Sequence, residues 1–419
     1  MRFMHYLYED YAYLRTLTAS FRKWSRLYGY DEIDPPAIED WSRYQDLPPA
    51  LTKRLVKLIE PSGAIGCLKI DNTMSCASMT LKLPEGTPLR RISYNSKVFR
   101  YGQGGGIDEI LQLGCENYAD LGPAGDVEVI RLALDVLETV GIPISDLRFE
   151  IGNSSFFRAI SEMVELSPEA VETMMNLIEE KRLTALSAFL EGSELPEDES
   201  LFLSQLPGLF GDFKAVFTKA SSTRFGDACQ AELSALKSLY KLLENLGLTK
   251  IQLDLSQGGN EFRYYSGNIY RIFSQRTGKA LVTGGRYDGM NGVEVACGIS
   301  FNTANVVEWM KTMHTPLNVP AQFDYAVLCD TDDPGDALQI AAALRDRDYS
   351  VVLVKLRTSI SDTFEQPECK SAKFVLSVEG DDAVVFDQRM NESRRSNVQK
   401  LLNQLEINGK RRSQIHETT

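Results

Sequence analysis

At 419 residues, with 43% hydrophobic and 25% charged residues, the chain has ordinary globular composition and exceeds the roughly 100–200 residues usual for one domain, so two or three domains are expected. Its 45 Lys and Arg against 58 Asp and Glu leave a net charge of −13, a poor balance for nucleic acid, whose binding draws on cations that neutralise phosphates. The seven cysteines stand singly and there are only three histidines, which offers no zinc pattern and fits small buried thiols in a reducing cytoplasm; no apolar run approaches the ~20 residues of a membrane span.

Leu14, Leu17, Phe21, Trp24 and Leu27 recur at spacings of three and four, predicting an amphipathic helix over residues 8–30 that ends near Gly29. The paired prolines Pro35 and Pro36 force an extended exit. From Leu68 to Gly114 the chain reads as strands and turns. Arg91 to Phe99 alternates, Gly102 to Gly106 is a glycine-rich hairpin loop, and Ile110 to Cys115 is the return strand. A helix over 126–141 closes at Gly141, and residues 155–248 read as helical almost throughout, broken at Pro196 and Pro207. Strands return at 251–255, 264–273 and 280–283, and a last helix runs from Thr303 to His314. Residues 315–322, with two prolines, read as a linker. From Phe323 onward strands and helices alternate as in a small α/β domain, and the tail from Gly409 reads as frayed.

Three constellations carry chemistry. Arg100 sits at a strand end before the glycine loop, where a guanidinium addresses a phosphate or carboxylate. Gln112 and Glu116, four apart in a strand, share one face; a solvated sheet face gives the same pattern. Asp71 and Thr73 suit an ammonium group, although a helix cap explains them as well. Tyr264, Tyr265 and Tyr270 line a pocket or fill a core with equal ease. Gly284 and Gly285, in Gly-Gly-Arg-Tyr-Asp-Gly, permit close backbone approach to a ligand or form a β-turn.

Taken in order, these segments resemble the class II aminoacyl-tRNA synthetase core, and within it the histidyl enzyme. Glu32 to Pro36 is similar to its motif 1, Arg90 to Glu116 to motif 2, Tyr264 to Gly267 and Gly284 to Gly289 to the two histidine-specific signatures, and Ala296 to Phe301 to motif 3. The departures concern charge. Gly102 stands where motif 2 has glutamate, Asn260 where the second signature has arginine, and Asn305 where motif 3 ends in arginine. Arg263 is near the second of these but is expected on the other strand face. Fixed cations stabilise the charge developed in adenylate formation, so the pattern implies lost chemistry.

The amino-acid pocket is better kept. By resemblance Asp71, Thr73 and Gln112 match contacts to an α-amino group, Glu116 and Tyr265 match the residues that grip an imidazole, and Arg100, Tyr264, Gly284, Gly285 and Tyr287 complete the histidine-binding set. That combination resembles the regulatory subunits of ATP phosphoribosyltransferase, as do Asp71 itself and the stretch Leu206 to Gly211. The resemblance implies an α+β fold: a class II synthetase-like antiparallel sheet flanked by helices over residues 1–314, with a helical insertion at about 155–248, the 315–322 linker, and a small α/β anticodon-binding-like domain over 323–419. It implies a catalytically inactive, cytoplasmic subunit without cofactor or metal, a homodimer within a hetero-oligomer with a short-form catalytic subunit, and histidine as effector. A divergent histidyl-tRNA synthetase is the alternative, and a synthetase-like module serving another partner a third.

Overall fold

A computed structural model of the chain describes residues 9–45, 49–80, 91–102, 104–119, 121–222, 227–257, 265–288, 295–315, 323–401 and 403. It divides into two compact units, Met1–Leu317 and Asn318–Thr419. The expected linker falls almost wholly outside the described residues.

The first unit is organised by a nine-stranded sheet in the order Asp31–Ile33, Arg91–Tyr101, Ile107–Asn117, Val295–Asn302, Ala280–Asp288, Tyr265–Ser274, Leu147–Asn153, Ile251–Asp254, Phe210–Asp212. Pairing is antiparallel except between the first two strands and between Leu147–Asn153 and Ile251–Asp254. Along the central strands one face is apolar. Leu113, Cys115, Ile299, Val282 and Ile272 all join the main core. The helices Glu9–Leu27, Pro123–Thr139, Asp227–Asn245 and Thr303–Thr312 contribute Leu17, Val129, Leu233 and Val306 to that same core. The first helix ends as its sequence predicts, with Gly29 at φ 76° relieving the left-handed turn. The insertion supplies Ser154–Met163, Pro168–Glu179, Leu183–Glu191, Glu197–Gln205 and Phe213–Ser221, and with them the edge strand Phe210–Asp212.

Two elements differ from the sequence-based expectation. Residues 72–80, placed among strands and turns, form a helix whose residues through Ser78 are all buried, so it has no solvent stripe to betray a 3.6-residue period. The Gly-Gly-Arg-Tyr-Asp segment is no turn, because the strand that starts at Ala280 runs on through Asp288.

In the second unit a five-stranded sheet has the order Val351–Lys355, Phe323–Cys329, Ala372–Glu379, Asp382–Asp387, Glu392–Asn397. Its first three strands are parallel and its last two pairings antiparallel. Helix Gly335–Arg345 packs Ile340, Ala341 and Leu344 on Tyr325 and Val327, while Cys369 packs with Val354 and Val375 in a second cluster. The closing hairpin, Asp382–Asp387 with Glu392–Asn397, was not anticipated from the sequence.

Candidate functional site

The sheet face opposite the core forms a trough, and strand register fixes what lines it. Glu116, Gly298, Gly285 and Ile269 lie in one row across four strands, and Gly114, Ser300, Thr283 and Arg271 in the next. Gln112 and Asn302 begin a third row. Because cross-strand partners share a face, the two inner strands present only Gly, Ser and Thr along these first two rows, and longer side chains close the sides. The resulting cavity has a volume of about 350 Å³.

Nine of the sequence-predicted residues line this one cavity: Asp71, Thr73, Arg100, Gln112, Glu116, Tyr265, Gly284, Gly285 and Tyr287. Tyr264, Asn260, Arg263 and Gly289 lie outside the described residues. Sequence reasoning missed Arg271, Thr283, Gly298, Ser300 and Asn302, which also line the cavity. Two-residue alternation from Glu116 and Gly285 across the sheet would have found most of them.

Glu116 is the best-defended group in the trough. Its Oε1 accepts hydrogen bonds from the Thr73 hydroxyl at 2.7 Å and from Tyr94 at 3.2 Å, and its Oε2 accepts one from Tyr287 at 3.0 Å. Glu116, Tyr94 and Tyr287 are each 1% exposed. Burial, with Asp71 nearby adding to it, pushes the Glu116 carboxyl up to about 8 against the lowering effect of the three hydroxyls. A side chain on Gly298 would lie 2.0 Å from Glu116 Oε2, which shows that this carboxylate leans inward over the glycine.

Asp71 does what the helix-cap alternative predicts, its Oδ1 accepting from the Met74 amide at 3.2 Å at the start of the Asn72–Thr80 helix. Burial raises its pKa and the Arg100 guanidinium opposes that shift. Arg100 donates through Nε to the Ile70 carbonyl at 3.0 Å, so both groups are committed to the turn that starts this helix while bordering the trough. Thr73 faces Glu116. Gln112 Oε1 accepts from Asn72 Nδ2 at 3.0 Å.

The double glycine has a physical cause other than the two considered from sequence. A Cβ on Gly284 would lie 2.5 Å from the Tyr270 ring and 2.3 Å from the Gly298 carbonyl, and one on Gly285 would lie 2.6 Å from the Tyr265 ring. Two aromatic side chains of the neighbouring strand occupy the space that side chains at 284 and 285 would need.

Two of the three charge departures are explained locally. Gly102 lies under Asp108, whose Oδ2 would sit 2.4 Å from any Cβ there. Asn305 occupies the first turn of Thr303–Thr312, where its amide donates to Asn302 Oδ1 at 3.3 Å and its Nδ2 to the Ala280 carbonyl at 2.7 Å. It does not line the trough. Among the described residues no group of three or more His, Cys, Asp or Glu is placed to hold a metal ion, and no helix is long and apolar enough to cross a membrane.

The histidyl-tRNA synthetase family model matches residues 3–306. A relative from Oceanobacillus iheyensis, named ATP phosphoribosyltransferase regulatory subunit, is 28% identical over 349 residues, covering 79% of this chain and 82% of its own. One of the same name from Thermoanaerobacter pseudethanolicus is 31% identical over 294 residues, 69% of this chain and 75% of its own. Two solved structures share the fold. An ATP phosphoribosyltransferase regulatory subunit/histidyl-tRNA synthetase from Bacillus halodurans has a TM-score of 0.73 at 24% identity, covering 91% of this chain and 97% of that one. A histidyl-tRNA synthetase from Nostoc has a TM-score of 0.69 at 17% identity, covering 94% and 95%. With its family match, its register-built trough and these relatives taken together, the chain belongs to the histidyl-tRNA synthetase family and, within it, to the ATP phosphoribosyltransferase regulatory subunits.

Proposed function

We propose that this chain is a non-catalytic, cytoplasmic subunit that binds free histidine in the trough and relays its occupancy to a short-form ATP phosphoribosyltransferase. The observation that carries the reading is the Glu116 carboxyl, held by three hydroxyls and leaning over Gly298. A carboxyl so placed suits a ring N–H, and Tyr265 and Tyr287 provide aromatic walls beside it. Asn305 and Gly102 supply no charge for adenylate chemistry, which supports a binding role over a catalytic one. A chain that binds and does not react contributes through differential affinity for the states of a partner.

The test is reconstitution. Mixing the chain with a short-form phosphoribosyltransferase gives a larger species on size exclusion, in which this subunit is at least dimeric. Phosphoribosyl-ATP formation rises on mixing and falls when histidine is added. No complex at micromolar concentration, or an activity indifferent to histidine, rejects the reading.

A further inference from the structure

A zwitterionic amino acid brings a carboxylate into the trough as well as a ring and an ammonium group. The position that would supply the expected cation, residue 260, is Asn. Two guanidiniums line the cavity among the described residues, Arg100 and Arg271. Arg100 is buried, bonded to the Ile70 carbonyl and paired electrostatically with Asp71. Arg271 is differently placed. It stands across from Thr283, one row from the Glu116–Gly298–Gly285–Ile269 row and on the opposite side of the trough. Its partner is Glu150, at 3.5 Å, an oxygen that also accepts from Gln257 Nε2. The guanidinium thus has donors to spare, and its side chain is 32% exposed.

Glu116 and Arg271 stand three strand spacings and one row apart, so a ligand between them is reached only by both side chains extended over the floor. One row is two residues, about 7 Å along a strand, and neighbouring strands lie about 4.8 Å apart. Glu116 leans in over Gly298 from one side, and the floor between it and Arg271 is Gly298, Gly285, Ser300 and Thr283. We infer that Arg271 is the specificity residue for the ligand's α-carboxylate, taking the role that the uncharged residue at 260 cannot fill. The inference rests on the proposed histidine site and adds to it the group that separates an amino acid from the corresponding amine.

The experiment is isothermal titration of the full chain with histidine and with histamine, which has the ring and ammonium but no carboxylate. Wild type is expected to bind histidine at least about tenfold more tightly than histamine, the order of one charge-assisted contact. In Arg271→Gln that preference collapses, histidine weakening to the level of histamine while histamine is unchanged. Arg271→Lys retains part of it. Because Arg271→Gln takes from the buried Glu150 the larger of its two cationic neighbours, the double variant Glu150→Gln/Arg271→Gln is measured too and behaves like the single one, whereas Glu150→Gln alone keeps the wild-type preference. A wild type that binds histidine, with Arg271→Gln binding it equally well, overturns the assignment and leaves the histidine site standing. Parallel loss of both ligands in both Arg271 variants overturns it as well, since that is the mark of a structural role. A wild type that binds neither ligand overturns the site itself.

Discussion

Glu116 concentrates the chemistry of the trough in a single side chain. Burial holds its carboxyl up at about 8, against 4.5 for the free group. The folded state therefore holds a proton that the unfolded chain releases between those values, and stability falls as pH rises from about 4.5 through about 8. Glu116→Gln, which cannot ionise, should flatten the decline of Tm between pH 5 and 8. An equal slope in the variant would show that other groups set it. The same substitution removes a carboxyl that accepts a ring N–H once ionised and should weaken histidine binding by about 1–3 kcal/mol above pH 8, read by titration calorimetry. Glu116, Asp71, Thr73 and Tyr287 are legible in the sequence through their match to the family's motifs. What sequence did not carry was their mutual arrangement, because Thr73 turns to Glu116 through a helix that shows no amphipathic period.

Among the elements, the strand Ala280–Asp288 shows why part of the fold was hidden. Adjacent glycines ordinarily signal a turn, yet here the rings of Tyr265 and Tyr270 claim the space that side chains would take. The cause lies on another strand, beyond the reach of local pattern. Gly284→Ala should accordingly destabilise the protein by about 1–3 kcal/mol, the usual range for overpacking. Gly104→Ala, at a loop position with nothing within 4 Å of a Cβ, should leave the midpoint of chemical denaturation within error of wild type. Equal midpoints in the two variants would contradict the packing argument. The first helix is legible because its apolar residues recur on one face and Gly29 follows its end, and the long hairpin because the alternation of Arg91 to Phe99 runs into the glycines of its loop. The final hairpin was not, since Glu392–Asn397 is a polar, largely exposed strand with no alternation to detect.

Across the whole molecule, a synthetase fold is combined with an acidic composition and with asparagine where the family's motif 3 ends in arginine. Its net charge of −13 and the uncharged residues at 260 and 305 argue against both tRNA capture and adenylate formation. Purified protein should give no histidine-dependent ATP–pyrophosphate exchange above a no-enzyme control. Each missing cation is worth about 10²–10³ in rate, so the uncharged residues at 260 and 305 together are expected to put exchange below detection. Clear exchange would restore the synthetase alternative.

The closeness of Asp108 to Gly102 bears on what residue 102 can be replaced by. With Asp108 Oδ2 2.4 Å from where a Cβ would stand, any side chain at 102 must displace the Asp108 carboxylate, and a glutamate would also set a second carboxylate against the first. A side chain at 102 is therefore coupled to the rotamer of Asp108, and the two positions set between them how much negative charge the base of this loop carries.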